Sequence, residues 1–163
     1  MDNQIIIREL TASQDIAKFW VKLYEHFQQN VFPDAGSEDL SYFAGPKYRS
    51  AIENLHDRKT DPLHYIFFQR NGTDIGLTMT VTYSSEDGKC FILEFCVFPQ
   101  FRGNGTGRAC AAALLTWAQE RGASYFALNA DTSQRQRFWG YSGFQISGED
   151  ENGLPLLIYR PEN

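Results

Sequence analysis

Val97-Phe98-Pro99-Gln100-Phe101-Arg102-Gly103-Asn104-Gly105-Thr106-Gly107-Arg108 decides how this chain is read. The apolar run Phe91 to Val97 enters it and an alanine- and leucine-rich run leaves it, so the glycines join a buried strand to a helix. At a helix start the first backbone N–H groups have no partner inside the helix, and the macrodipole adds partial positive charge. Such a junction therefore accepts an anion. Gly103, Gly105 and Gly107 also remove the Cβ atoms that would hold a phosphate off the backbone. A glycine cluster by itself equally describes an ordinary turn, so the flanking sequence has to separate the two.

The chain has 163 residues, 42% hydrophobic, 15% aromatic and 21% charged, which suits one globular domain over residues 1–163. No apolar run approaches the roughly eighteen residues of a membrane span, so no membrane partner is expected. The start Met1-Asp2-Asn3-Gln4 lacks the basic and apolar segments of a secretory leader, and a cytoplasmic location is the expectation. A net charge of −5 argues against nucleic acid as a ligand and mildly favours cationic partners. Cys90, Cys96 and Cys110 are odd in number with no CxxC pair, which argues against a disulfide framework and a zinc site. No metal is expected, and the cysteines read as small buried apolar residues. A nucleophilic cysteine would need a histidine brought from far upstream, where His26, His56 and His64 lie.

Outward from the glycine run, periodicity gives the remaining elements. Ile5 to Leu10 reads as a strand, and Thr11-Ala12-Ser13-Gln14-Asp15 offers caps for a helix whose apolar face is Ile16, Phe19, Trp20, Leu23 and Phe27. That helix should end near Asn30, broken by Val31-Phe32-Pro33-Asp34-Ala35-Gly36. A second helix should begin at Ser37-Glu38-Asp39-Leu40 and resume past Gly45-Pro46 towards Leu55. Tyr65 to Arg70 and Ile75 to Tyr83 flank Asn71-Gly72, a hairpin turn signal, and a third antiparallel strand runs from Cys90 to Val97. Downstream the spacing predicts a helix over Ala109 to Arg121, a strand over Ala123 to Ala130, and a helix over Gln134 to Tyr141. Phe144 to Ser147 and Leu154 to Tyr159 then form a terminal hairpin about Asn152-Gly153. The order is mixed α/β, or α+β, around one central sheet.

Three kinds of glycine-rich strand-to-helix loop have to be distinguished. A triphosphate-binding P-loop needs Lys and Ser or Thr after its last glycine, and Gly107 is followed by Arg108-Ala109. A dinucleotide site is disfavoured because Gly103, Gly105 and Gly107 read GxGxG, and because four residues separate the strand from the glycines. The third kind matches residue by residue. Arg102-Gly103-Asn104-Gly105-Thr106-Gly107 resembles the [QR]-x-x-G-x-[GA] signature of the GNAT superfamily of acyl-CoA N-acyltransferases. Val97 and Pro99 stand where that family carries V-x-P, and Phe138-Trp139-Gly140-Tyr141-Ser142-Gly143-Phe144 resembles its F-Y-x-x-x-G-F. The element order looks like the family's over nearly the whole chain.

The resemblance implies a mostly antiparallel sheet with flanking helices and one splayed strand pair, and acetyl-CoA as the cofactor. The pantetheine arm would lie against backbone groups of Phe95, Cys96 and Val97, facing the strand at Ala127 to Ala130. The pyrophosphate would sit on the amides of Gly103, Asn104, Gly105, Thr106, Gly107 and Arg108, with Arg102 and Arg108 adding charge. Thr132 stands nearest to an asparagine that the family often carries, and Phe138 and Trp139 would pack on the cofactor arm. Transfer to an amine also needs a base. Glu94 is the one carboxylate inside the apolar strand, and burial would raise its pKa towards neutrality. For the leaving thiolate the family's usual tyrosine is Trp139 here, whose indole is no proton donor, so Tyr141 is the candidate acid. Trp20, Tyr24, Tyr42, Phe43 and Tyr48 are available to an acceptor pocket, although their helical spacing suits core packing. The expected reaction is direct acetyl transfer to a primary amine of a small molecule or peptide. An O-acyltransferase and a non-catalytic acyl-CoA-binding module are the alternatives, and the resemblance admits a homodimer.

Overall fold

Strand patterning in the middle of the chain sets the architecture. Tyr65 to Phe68 and Ile75 to Thr82 are buried continuously rather than in alternation, so both of their faces must be covered. The computed structural model, which describes residues 4–31 and 38–162, satisfies this with helices on both sides of one sheet. Its strands are β1 (Ile6–Leu10), β2 (Leu63–Arg70), β3 (Thr73–Thr82), β4 (Lys89–Val97), β5 (Tyr125–Asn129), β6 (Gln145–Glu149) and β7 (Pro155–Tyr159). They lie in the order β1-β2-β3-β4-β5-β7-β6, and every neighbouring pair is antiparallel except β4 and β5. The Asn71-Gly72 turn and the terminal hairpin form as the sequence predicts. The last strand, β7, inserts between β5 and β6, which leaves β6 exposed at the edge.

The helices are α1 (Ser13–His26), α2 (Glu38–Phe43), α3 (Pro46–His56), α4 (Thr106–Glu120) and α5 (Ser133–Gly140). α1, α2 and α3 cover one face, where Phe19, Leu23, Ile52, Tyr65, Leu77 and Met79 are buried together. α4 and α5 cover the other, over Cys110, Leu114, Ala118, Phe126 and Trp139. Each such side chain, fully removed from water, stabilises the fold by about 1.5–3 kcal/mol before entropy is counted.

Several boundaries differ from the periodicity reading. α1 is headed by Ala12, whose side chain cannot cap; its carbonyl accepts the amides of Asp15 and Ile16, so the capping expected from Thr11 to Asp15 is a backbone matter. Beyond His26 the chain continues as a π-turn over Phe27–Val31. The break expected over Phe32 to Gly36, and Ser37 as a helix start, lie outside the described residues. α4 starts at Thr106, three residues before the apolar periodicity suggests, because Gly105 already acts as its N-cap.

β3 and β4 approach closely at Gly76, opposite Val97. A Cβ there would lie 2.5 Å from the Cys96 carbonyl oxygen, so backbone would have to move. Gly76→Ala is expected to cost about 1–3 kcal/mol of stability, read as a lower melting temperature.

Candidate active site

Two backbone features of the glycine run prepare it for an anion. Gly103, Asn104 and Gly105 have φ of +97°, +56° and +75°, a left-handed run that lifts the chain into the first turn of α4. The Thr106 hydroxyl donates to the Gly103 carbonyl (2.9 Å) and fixes that turn. No side chain caps α4, and the amides of Gly107 and Arg108 have no acceptor within the helix. Beside Gly103 and Gly105 an added Cβ would meet no atom within 4 Å, so the face of the loop is open. Gly107 differs from the other two: the Phe138 ring would lie 3.1 Å from a Cβ there, so its missing side chain makes room for α5, while its amide remains at the open head of the helix.

The second preparation is a gap in the sheet. β4 pairs with β5 only through Lys89↔Tyr125, Cys90↔Phe126 and Phe91↔Ala127, and then continues to Val97 with no strand on that edge among the described residues. On its other edge the Phe98 amide donates to the Ile75 carbonyl (2.8 Å), and Ile75 stands opposite Phe98 when the register is continued. Antiparallel pairs alternate, so Cys96 also directs its backbone towards β3, whereas Phe95 and Val97 direct theirs into the gap. Arg102 Nε donates to the Val97 carbonyl (2.9 Å), and its Nη1 donates to Asn30 Oδ1 (3.2 Å). Of the three residues expected to present backbone, Phe95 thus presents both groups, Val97 its amide, and Cys96 faces the wrong edge.

A bulge in β4 shapes the floor of the same gap. Met79 pairs with Glu94 and Thr80 with Ile92, leaving Leu93 as the extra residue. Phe95 and Val97 pack under α4 and α5, while Leu93 and Cys96 pack towards α1 to α3. Glu94 points with the latter and meets Tyr48, whose O–H donates to Glu94 Oε1 (3.2 Å). Burial pushes the Glu94 carboxyl up to about 7, against the lowering effects of the Tyr48 hydrogen bond and the Arg135 charge. Glu94 lines a cleft of about 670 Å³ that runs through the gap. One wall carries His26, Phe27, Asn30, Phe43 and Arg102; the other carries Asp131, Thr132, Arg135, Phe138 and Trp139. His26 is held down to about 4 by burial, and the Arg102 and Arg135 charges act in the same direction, so its imidazole is neutral at neutral pH.

The remaining sequence candidates fall on either side of this cleft. Trp139 is buried against Phe95, Phe138 and Phe144, with ring centroids at 4.8, 5.0 and 5.2 Å. Thr132 lines the cleft, and its hydroxyl accepts the Arg135 amide (3.2 Å) as the N-cap of α5. Tyr141 is not among the lining residues. It follows α5, is 64% exposed, and lies with the Arg108 guanidinium 3.9 Å from its ring centroid. The backbone shift that would turn it inward is absent, because α5 runs regularly to Gly140. Of the aromatic candidates, Tyr48 and Trp20 are buried, Phe43 lines the cleft, and Tyr24 and Tyr42 are exposed. Burial raises Cys90 to about 11 and Cys96 and Cys110 to about 12, which makes poor nucleophiles of all three. Among the described residues no group of three or more His, Cys, Asp and Glu is placed to hold a metal ion, and no helix is long and apolar enough to cross a membrane.

Sequence reasoning overlooked His26, Asn30 and Arg135. Nothing local marks them; a cleft wall made by the end of α1 and the start of α5 is visible only once the sheet brings those ends together.

A splayed parallel pair beside a glycine-headed helix is the arrangement expected from the sequence motifs, and the Acetyltransferase (GNAT) family model matches residues 20–144. The chain belongs to the GNAT family. Solved structures agree on the fold of this GNAT protein. The PaiA N-acetyltransferase of Thermoplasma acidophilum, in complex with coenzyme A, superposes with a TM-score of 0.71 at 14% identity, over 97% of this chain and 99% of that one. An acetyltransferase from Streptococcus agalactiae gives 0.68 at 13% identity, over 98% and 100%. The N-acetylglutamate synthase of Neisseria gonorrhoeae, complexed with coenzyme A and N-acetyl-glutamate, gives 0.66 at 18% identity, over all of this chain and 36% of that one. No curated protein matches this sequence.

Proposed function

We propose that this GNAT domain transfers acetyl from acetyl-CoA to a primary amine of a small molecule or peptide, by direct attack of the amine. The observation that carries the reading is the ladder that stops at Phe91↔Ala127 beside an open glycine cradle, with Glu94 in the cleft between them. An extended amide-bearing arm fits such a gap because the Phe95 N–H and C=O are otherwise left without a partner strand. A pyrophosphate fits the cradle because open amides and the head of α4 favour negative charge. Gly103, Asn104, Gly105, Thr106, Gly107 and Arg108 would hold it, with Arg102 at the mouth. When bound, acetyl-CoA supplies an acyl group already activated as a thioester.

The chain's own residues then have three tasks. The Phe95 amide, aimed into the gap, is the donor available to a carbonyl oxygen. Glu94, with its carboxyl near 7, accepts a proton from an incoming ammonium group at neutral pH. Phe138 and Trp139 form an apolar wall on one side of the gap. Trp139 stands in place of the family's tyrosine, and Tyr141 does not line the cleft. A thiolate with an ordinary pKa of about 8.5 leaves without a side-chain acid far more readily than an alkoxide would. Direct attack is supported by the three buried, weakly acidic cysteines.

The reading is tested by thiol release from acetyl-CoA against a panel of amines, with the product identified by mass. Turnover with at least one amine is expected, and no acetylated protein should accumulate when amine is withheld. Tight coenzyme A binding with no turnover across the panel would convert the reading into that of a binding module, and turnover with alcohols alone would make it an O-acyltransferase.

A further inference from the structure

Tyr48 belongs to α3, far in sequence from the glycine cradle, and its ring is closely packed. Phe43, Tyr42, Phe27 and Trp20 surround it with ring centroids at 4.7, 5.9, 6.1 and 6.3 Å, and it is only 9% exposed. Its hydroxyl reaches Glu94 Oε1 and donates to it. A phenol packed against four rings has little room to swing away, so this donor stands in place before any substrate arrives.

We infer that Tyr48 is a positioning residue for proton transfer at Glu94: its O–H occupies Oε1, leaves Oε2 as the oxygen that accepts the amine's proton, and favours the ionised carboxylate. The inference rests on the reading of Glu94 as the base. The step is one proton transfer, in which an N–H bond of the acceptor's ammonium group breaks and an O–H bond forms at Oε2. The proton leaves to water afterwards.

Three kinds of group bear on this carboxyl. Tyr48 approaches from α3, the Arg135 charge acts from α5, and the Cys96 thiol is its near neighbour on β4. Burial works against ionisation, while Tyr48 and Arg135 favour it, and Tyr48 contributes more than Arg135. The two partners are coupled in the other direction as well. Burial, the Glu94 charge and the hydrogen bond to it together push the Tyr48 phenol far above its ordinary value. Among the described residues, His26, Arg102 and Asp131 are the other titratable and charged groups that line the same cleft.

The test is carried out on the full chain with carbon-13 in its glutamate carboxyls and tyrosine Cζ atoms. The Glu94 signal, identified by its loss in Glu94→Gln, should titrate near neutral pH. In Tyr48→Phe its midpoint should rise by about one pH unit, the size of a hydrogen bond to a charged group. Conversely, the signal of the neutral Tyr48 phenol should shift with pH in the parent as Glu94 ionises near 7, and that step should be absent in Glu94→Gln, which decides the matter even if Tyr48→Phe does not fold. For the amine that releases most thiol, the acid limb of kcat/KM should shift upward with the carboxyl in Tyr48→Phe, while coenzyme A affinity stays unchanged. Tyr48→Phe in the Glu94→Gln background should then add no further loss. A Glu94 midpoint that does not move in Tyr48→Phe, or a Tyr48 signal in the parent that does not follow the Glu94 titration, overturns the inference. A rate loss equal at every pH would do the same, because it would mark a merely structural role. Failure of every amine to turn over would instead remove the proposed function and leave the two titrations to judge the pair.

Discussion

Glu94→Gln is expected to lower kcat for amine acetylation by about 100-fold to 10,000-fold, the range spanned by positioned general bases, with coenzyme A affinity unchanged. Glutamine keeps the shape of the side chain and can still accept the Tyr48 hydroxyl through its amide oxygen, so the loss isolates the base. Wild-type activity should rise with pH through about 7, the value to which burial brings this carboxyl, and the variant should lose that limb. Retention of both the rate and the limb in the variant would remove Glu94 from the chemistry.

The same substitution has an opposite effect on folding. An unfolded chain ionises this carboxyl near 4.5, whereas the folded protein does so near 7, so the folded state favours the proton. Relative to its acid form, Glu94 therefore loses stabilisation as pH rises from about 4.5 through about 7, and glutamine, which does not ionise, avoids that loss. Glu94→Gln should be more stable than the parent at pH 8 by up to about 2 kcal/mol, allowing for solvent screening of a half-buried group, and the gain should vanish at pH 4. Thermal melts at the two pH values measure it. A protein less active and more stable after one substitution is the signature of a strained functional group.

The other large effect is expected at Gly105. Gly105→Phe should weaken coenzyme A binding by about 100-fold or more, because two charge-assisted hydrogen bonds lost to a displaced phosphate amount to roughly 3 kcal/mol. The protein itself has room for the new side chain, since no atom lies within 4 Å of where its Cβ would be. The cost to folding is confined to a left-handed non-glycine residue, about 1–2 kcal/mol. Gly72 supplies the control. It has φ of +77°, the same open surroundings, and a place on the β2–β3 turn. Gly72→Phe imposes equal backbone strain and should leave coenzyme A affinity intact. Calorimetric titration of both variants separates the two effects, and equal affinities in Gly105→Phe and the parent would overturn the placement of the cradle.

Much of this protein is legible in its sequence because the relevant physics is local. Asn71-Gly72 between two apolar runs specifies a hairpin from four residues, and Ile16, Phe19, Trp20, Leu23 and Phe27 specify one helix face from their spacing. The glycine run specifies a strand, a turn and an anion-accepting helix start within a dozen residues. Those signals, with the Gly143-Phe144 ending, are enough to identify the fold, and they point to the loop that the proposed function assigns to the cofactor. Even here the finer readings depended on contacts. Gly107 looks like a third phosphate glycine until α5 brings Phe138 against it. Tyr141 looks available as an acid until the end of α5 turns it outward onto Arg108.

What the sequence by itself determined is the set of elements and the one loop whose backbone geometry suits an anion. Tertiary structure decided which side chains share the cleft. Tyr48 and Glu94 are 46 residues apart and Asn30 and Arg102 are 72 apart, and no periodicity links positions at such separations. The gap between β4 and β5 likewise depends on where a parallel ladder stops, and the Leu93 bulge on how β4 registers with β3. Register and strand separation are properties of packed sheets, set by what fills the space on both faces, and a single chain read residue by residue carries no record of them.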